Sequence, residues 1–184
     1  MLPSVGPKTA EQYAFALKEL DSKSLEALSE AIKNLSHLQR CVLCGKIPSR
    51  SKELAHVGVV CEICGNPKRI HALLMIVESE PDLESIEKTG RFEGLYFILG
   101  EASEKNMKRL LRRLKVKNSV KEIILAFDVT PQSELSIFEI KRAIKKATLE
   151  VTISRLGRGL PTGADLRYAD TATIKGALDH REKV

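Results

Sequence analysis

The stretch 73–99, LLMIVESEPDLESIEKTGRFEGLYFIL, decides the architecture. Two apolar runs, 73–77 and 95–99, flank an amphipathic segment that Pro81 can open and Gly90 can close. Continuous apolar runs of this length read as strands buried on both faces. A helix between two of them makes a parallel crossover unit.

The alternation continues downstream. A basic helix is expected over 103–115, a strand over 122–127 (EIILAF), a helix over 133–147 and a fourth strand over 149–153 (LEVTI). The sum is a mainly parallel four-stranded sheet covered on both faces. A Gly/Pro-rich loop follows, then a helix from about Thr171. Residues 1–38 read as helical, with Ala10, Tyr13, Ala14 and Leu17 on one stripe and Leu25, Leu28, Ile32 and Leu35 on another. Ser22 or Ser24 is the expected N-cap of the second helix. The fold class is therefore α+β and multi-module: an N-terminal helical hairpin, a small cysteine module, an α/β domain, and a C-terminal loop and helix.

All four cysteines lie between the first helices and the sheet, as two C-x-x-C pairs, Cys41/Cys44 and Cys61/Cys64, separated by sixteen residues. Each pair presents two thiolates from one tight knuckle, and two knuckles complete a tetrahedral site for Zn²⁺. Gly45 and Gly65 follow the second cysteine of each pair, where a residue tolerant of positive φ is useful. One redox C-x-x-C would leave the second pair unexplained. His56 and His71 are near in sequence, but four thiolates leave no vacancy, so the site reads as structural, with one zinc per chain.

The chain has 184 residues, 43% hydrophobic and 29% charged, with a net charge of +6. No apolar run approaches a membrane span, and the N-terminus lacks the pattern of a secretory signal. A cytoplasmic setting is the expectation, and there paired cysteines bind metal more often than they form disulfides. Between Lys105 and Lys121 there are eight basic residues and no acidic one. Between Glu78 and Glu93 there are six acidic residues and two basic ones. The basic balance suits a polyanion such as DNA, whose binding releases counterions, and the ordinary alternative is a solvated helix face. Lys141, Arg142, Lys145 and Lys146 could add to that charge. The acidic run suggests a docking face for a protein partner.

Two further places could carry chemistry. In PSVGPKTA (3–10), a Gly-Pro turn starts a helix with Lys8 in its first turn, an arrangement suited to a phosphate. Glu78 and Asp128 fall at C-terminal strand ends, where sites in parallel sheets collect. Thr130 stands where a second carboxylate of a two-metal site would be wanted, which leaves that site incomplete. The string GRGLPTG (157–163) lacks the pattern of a phosphate-binding loop. The spacer KIPSRSKELAHVG (46–58) reads as an extended loop whose Lys46, Arg50 and Lys52 could lie near DNA.

LPSVGPKTAEQYAF, the paired C-x-x-C motifs, VESEPDLESIEKTGRFEGLYFILG and RGLPTGADLRYADTATIKGAL, in this order, resemble the RecR family of bacterial recombination mediators over nearly the whole chain. The resemblance implies a helix-hairpin-helix over 1–38 that lacks the family's first helix, and a four-cysteine zinc finger over 39–70. It implies a Toprim domain over 71–156 and a C-terminal wrapping segment and helix over 157–184. It also implies a non-catalytic, ring-like homo-oligomer (dimer or tetramer) on gapped, single- or double-stranded DNA, associated with the nucleoid. RecO-type and RecF-type partners would help it load recombinase. Carried over by position, Gly6, Lys8 and Thr9, with Pro7 beside them, match the DNA-binding hairpin. Cys41, Cys44, Cys61 and Cys64 match the zinc ligands, Glu78 opens the Toprim motif, and Gly159, Leu160, Pro161 and Gly163 match the C-terminal signature.

The chain departs from the family pattern at several points. Ser4 stands in place of a hairpin glycine and Gln12 in place of a basic residue. The cysteine spacer is longer than usual and the loop after Gly100 is shorter. Asp128 and Gln132 replace an asparagine and a glutamate beside the RecO surface, so Glu78, Asp128 and Gln132 are the expected partner-binding residues. Two other readings remain open at this point. One is a Mg²⁺-dependent Toprim nuclease or primase-like enzyme using Glu78 and Asp128. The other is a zinc-stapled adaptor with little DNA binding of its own.

Overall fold

A computed structural model of the protein describes residues 4–49, 58–115 and 119–181. The chain runs through α1 (Pro7–Lys18), α2 (Ser22–Asn34), the cysteine segment, β1 (Ile70–Val77), α3 (Glu80–Glu87) and β2 (Gly94–Ile98). It continues through α4 (Glu104–Lys115), β3 (Glu122–Ala126), α5 (Pro131–Lys146), β4 (Thr152–Arg155) and α6 (Thr171–Asp179).

The sheet is four-stranded in the order β2-β1-β3-β4, and every pairing is parallel. Leu74 pairs with Leu95 on one side and Ile123 on the other. Side chains alternate across the sheet, so each strand divides its apolar residues between two cores. Leu74, Ile76, Leu95, Phe97, Ile123 and Leu125 pack with Leu110 and Leu114 of α4 and Ile137, Ile140 and Ile144 of α5. Met75, Val77, Tyr96 and Ile98 face the other way, onto Leu83 of α3 and the four cysteines. The cysteine module is thus one of the layers that cover the sheet. Gly94 lets β2 approach β1, because a Cβ there would lie 2.8 Å from the Leu73 Cβ and 2.9 Å from its carbonyl oxygen.

Local chemistry fixes the elements around the site. Ser79 and Asp82 form a reciprocal capping box at the start of α3, and Pro81 sits in its first turn. Thr130 caps α5 by accepting from the Ser133 N–H. The fourth strand begins at Thr152, three residues after the expected 149, because Thr148 leaves α5 at φ 52 and Leu149 and Val151 pack against the core as loop residues. That packing mimics a strand's alternation in the sequence. No residue of α1 or α2 is buried.

Candidate functional site

The cysteine sulfurs converge. One sulfur from each of Cys41, Cys44, Cys61 and Cys64 lies within 4.8 Å of the other three, all four residues are buried, and none is in a disulfide. The Cys44 and Cys61 Sγ atoms are 3.5 Å apart. Four thiolates about 2.3 Å from a tetrahedral zinc would be about 3.8 Å from one another. The donor set therefore fits a soft metal ion. Backbone amides complete the knuckles: the Lys46 N–H donates to Cys44 Sγ at 3.4 Å and the Cys64 N–H to Cys61 Sγ at 3.5 Å. Hydrogen bonds from Cys44, Cys61 and Cys64 hold the Cys41 thiol well below the usual thiol range, while Cys41, Cys44 and Cys61 push Cys64 up. Thiolate is the form that binds metal, and four such donors suit a soft ion. Gly45 has the expected positive φ of 87. Gly65 does not. Its place is set by proximity, since a Cβ there would meet the Cys61 carbonyl oxygen at 3.3 Å.

Acidic residues of α3 lock the module onto the sheet. Lys46 is buried, and its Nζ lies 3.0 Å from both Glu62 Oε1 and Glu84 Oε1. Glu80 accepts the Ile47 N–H at 2.9 Å and pairs with Arg40 at 3.5 Å. Arg69 pairs with Glu87 and donates to the Phe92 carbonyl at 2.9 Å. These contacts correct two expectations. Lys46 is a structural ion-pair centre and cannot reach DNA from there, while Arg50, Lys52 and His56 lie outside the described residues. The acidic run is not an open docking face, because Glu80, Glu84 and Glu87 are engaged within the chain. Nothing in the local sequence marks Lys46 as buried, since its partners lie in two distant segments.

The carboxylates at the strand ends do not converge on a metal. Glu78 is half-buried and accepts the Ser133 hydroxyl at 3.0 Å, and Ser133 in turn meets Thr130 Oγ1 at 2.9 Å. Asp128, Val129 and Gln132 are exposed beside it. Among the described residues, the cysteines are the group of His, Cys, Asp and Glu side chains placed to share an ion. Ser133 escaped the sequence reading because a serine in a first helical turn looks like an ordinary cap. The basic helix α4 is only partly a solvated face. Arg109 stacks over Phe97 with its guanidinium carbon 4.7 Å from the ring centroid and donates to the Ile98 carbonyl. Burial and the nearby Arg40 lower its pKa.

Gly6, Lys8 and Thr9 meet at the start of α1. Gly6 is the N-cap with extended backbone, no side chain caps the helix, and the first turn carries no acid. Ala10 N–H bonds Gly6 O at 2.9 Å, so the Lys8 and Thr9 amides precede the helical ladder. Among the described residues, a Cβ at Gly6 would meet nothing within 4 Å.

Comparison with known proteins agrees with this anatomy. The Toprim domain model matches residues 72–157, and the model "RecR, C-terminal" matches 159–182. The recombination protein RecR of Lactobacillus helveticus is 37% identical over 98% of this chain and 90% of its own length. That of Lactobacillus acidophilus is 35% identical over the same shares. A Thermus thermophilus RecR is 36% identical over 100% of this chain and 92% of its own. Identity at this level over both lengths, with four convergent cysteines and a parallel Toprim sheet, leaves one conclusion: the chain belongs to the RecR family of recombination proteins.

Proposed function

We propose that the protein is a non-catalytic DNA clamp of recombinational repair, working at the nucleoid with RecO-type and RecF-type partners to load recombinase on gapped or single-stranded DNA. The observation that carries the DNA reading is the open start of α1. Amides of Lys8 and Thr9 without a partner among the described residues, a Gly6 N-cap with no side-chain cap and a cationic side chain in the first turn would form a phosphate receptor. One such contact is weak, so several copies in a ring would be needed for affinity. Glu78, held by Ser133, supports a structural role for the strand-end glutamate, and the missing partner carboxylate speaks against phosphoryl transfer. Asp128 and Gln132, exposed at the head of α5, are the proposed contact for a RecO-type protein. The four thiolates would hold one structural Zn²⁺ per chain, which supplies no open coordination position. No described helix is long and apolar enough to cross a membrane.

A gel-shift titration on gapped duplex across salt concentrations tests the clamp. Affinity should fall steeply as salt rises, by roughly 0.9 in logarithmic slope per phosphate contacted. Lys8→Ala should weaken binding at every sequence and reduce that slope by about 1 per bound copy. Absence of binding at low salt, or binding indifferent to salt, would remove the DNA assignment.

A further inference from the structure

Helices α4 and α5 lie side by side on one face of the sheet, and between them runs a groove of about 660 Å³. Its floor holds Met107, Leu111 and Ala143, and its rim holds Lys108, Arg142 and Lys146. Leu135 and Phe138, each 60% exposed, continue the apolar surface along α5 toward its N-terminus. Leu135, Glu139, Arg142 and Lys146 follow at helical spacing, so the apolar strip and the cations share one side of α5.

The rim cations are only lightly committed. Lys108 lies 2.6 Å from Glu104 and Arg142 lies 2.9 Å from Glu139, in pairs whose members are all more than a third exposed. Exposed pairs of this kind are held only weakly, so an incoming carboxylate can replace the resident one. The last turn of α5 adds Lys145 and Lys146. A concave apolar floor bordered by exchangeable cations is how a surface receives an amphipathic segment that carries acids beside its apolar anchors. Nucleic acid offers phosphates but no aliphatic groups to fill such a floor.

We infer that the α4/α5 groove is a docking site for an acidic amphipathic helix of a partner protein. Its leucine- or phenylalanine-type anchors lie on Met107, Leu111 and Ala143, and its carboxylates meet Lys108, Arg142 and Lys146. The segment comes from another protein, because this chain's own acidic run is occupied by Arg40, Lys46 and Arg69. The site lies apart from the start of α1, which carries the DNA reading, and it gives Lys108, Arg142 and Lys146 a protein carboxylate as partner in place of the phosphate expected from the sequence.

Fluorescence anisotropy with the intact protein tests this. The probe is a labelled synthetic helix of about 14 residues, four turns, with Leu and Phe at i, i+3, i+4 and i+7 and aspartates flanking them. Saturable binding is expected, weakened at least tenfold by the paired change Arg142→Glu and Lys146→Glu and likewise by Leu111→Glu. The rim pair is exposed, so its thermal melt should match the parent and separates lost docking from lost folding. A control peptide with lysine for aspartate should not bind. Three results overturn the inference: no saturable binding, equal binding of the lysine peptide, or displacement by single-stranded oligonucleotide that the rim changes abolish. The last would make the groove a nucleic-acid contact. Lys8→Ala should leave peptide binding untouched, so failure of the clamp reading and failure of this one are distinguishable.

Discussion

Cys61 shows how much one side chain can carry here. It is 1% exposed, its sulfur touches that of Cys44, and its carbonyl accepts the Gly65 N–H at 2.9 Å. Cys61→Ser replaces a soft ligand by a hard, protonated one and leaves a polar group inside an apolar cluster. Elemental analysis should find about one zinc per parent chain and well under half of that in the variant. Loss of the ion should cost at least about 3 kcal/mol, a fall of roughly 6–12 °C in melting temperature for a chain of this length. Unchanged zinc content and an unchanged melt would overturn the metal assignment. Lys46 marks the limit of reading at this scale. Its identity is plain in the sequence, but its burial follows from Glu62 and Glu84, which only the folded chain brings to it. A lone lysine in a polar spacer therefore looks like a surface charge.

At the scale of elements, what was legible is what is local. The capping box of Ser79 and Asp82, Pro81 in the first turn, and the apolar strands β1 and β2 carry their signals within a few residues. The paired C-x-x-C spacing likewise announces that four sulfurs can converge. What was not legible depends on contacts between elements: the engagement of the acidic helix α3 by Arg40, Lys46 and Arg69, the inward turn of Arg109, and the place of β4. The exit of α5 explains the last of these and yields a prediction. Thr148 is a β-branched residue at φ 52, with its N–H on the Lys145 carbonyl at 3.1 Å and the Leu149 N–H on the Ile144 carbonyl at 3.4 Å. That left-handed cap is ordinarily glycine's position, and a residue with a Cβ stores on the order of 1 kcal/mol there. Thr148→Gly should raise the urea midpoint by the equivalent of about 0.5–1 kcal/mol without changing the slope. A lowered midpoint would mean that the threonine side chain contributes more than the strain removes.

The whole molecule is uneven in how it buries apolar surface. The sheet and its layers hold the core, whereas α1, α2 and the residues that follow each of them keep Tyr13, Phe15, Leu17, Leu20, Leu25, Leu28, Ile32 and Leu35 between 39% and 63% exposed. Helices with that much uncovered surface gain by pairing between chains. Light scattering should give a mass at or above twice the 20.4 kDa of one chain, and the pair Ile32→Asp and Leu35→Asp should shift it toward one. A parent protein that stays monomeric at micromolar concentration would rule out a ring built on these helices. The sheet also has two edge strands, and the cysteine module bears on one of them. Strand β2 lies at one edge, all five of its residues are buried, and the Cys44 carbonyl accepts the Ile98 N–H at 2.8 Å. The opposite edge, β4, is short and ends in Arg155, which discourages strand addition. GLYFI has no such protection of its own. A chain whose first knuckle loosens would bare that strand for pairing with its neighbours, so the knuckle closes an edge of the sheet as well as gathering the cysteines.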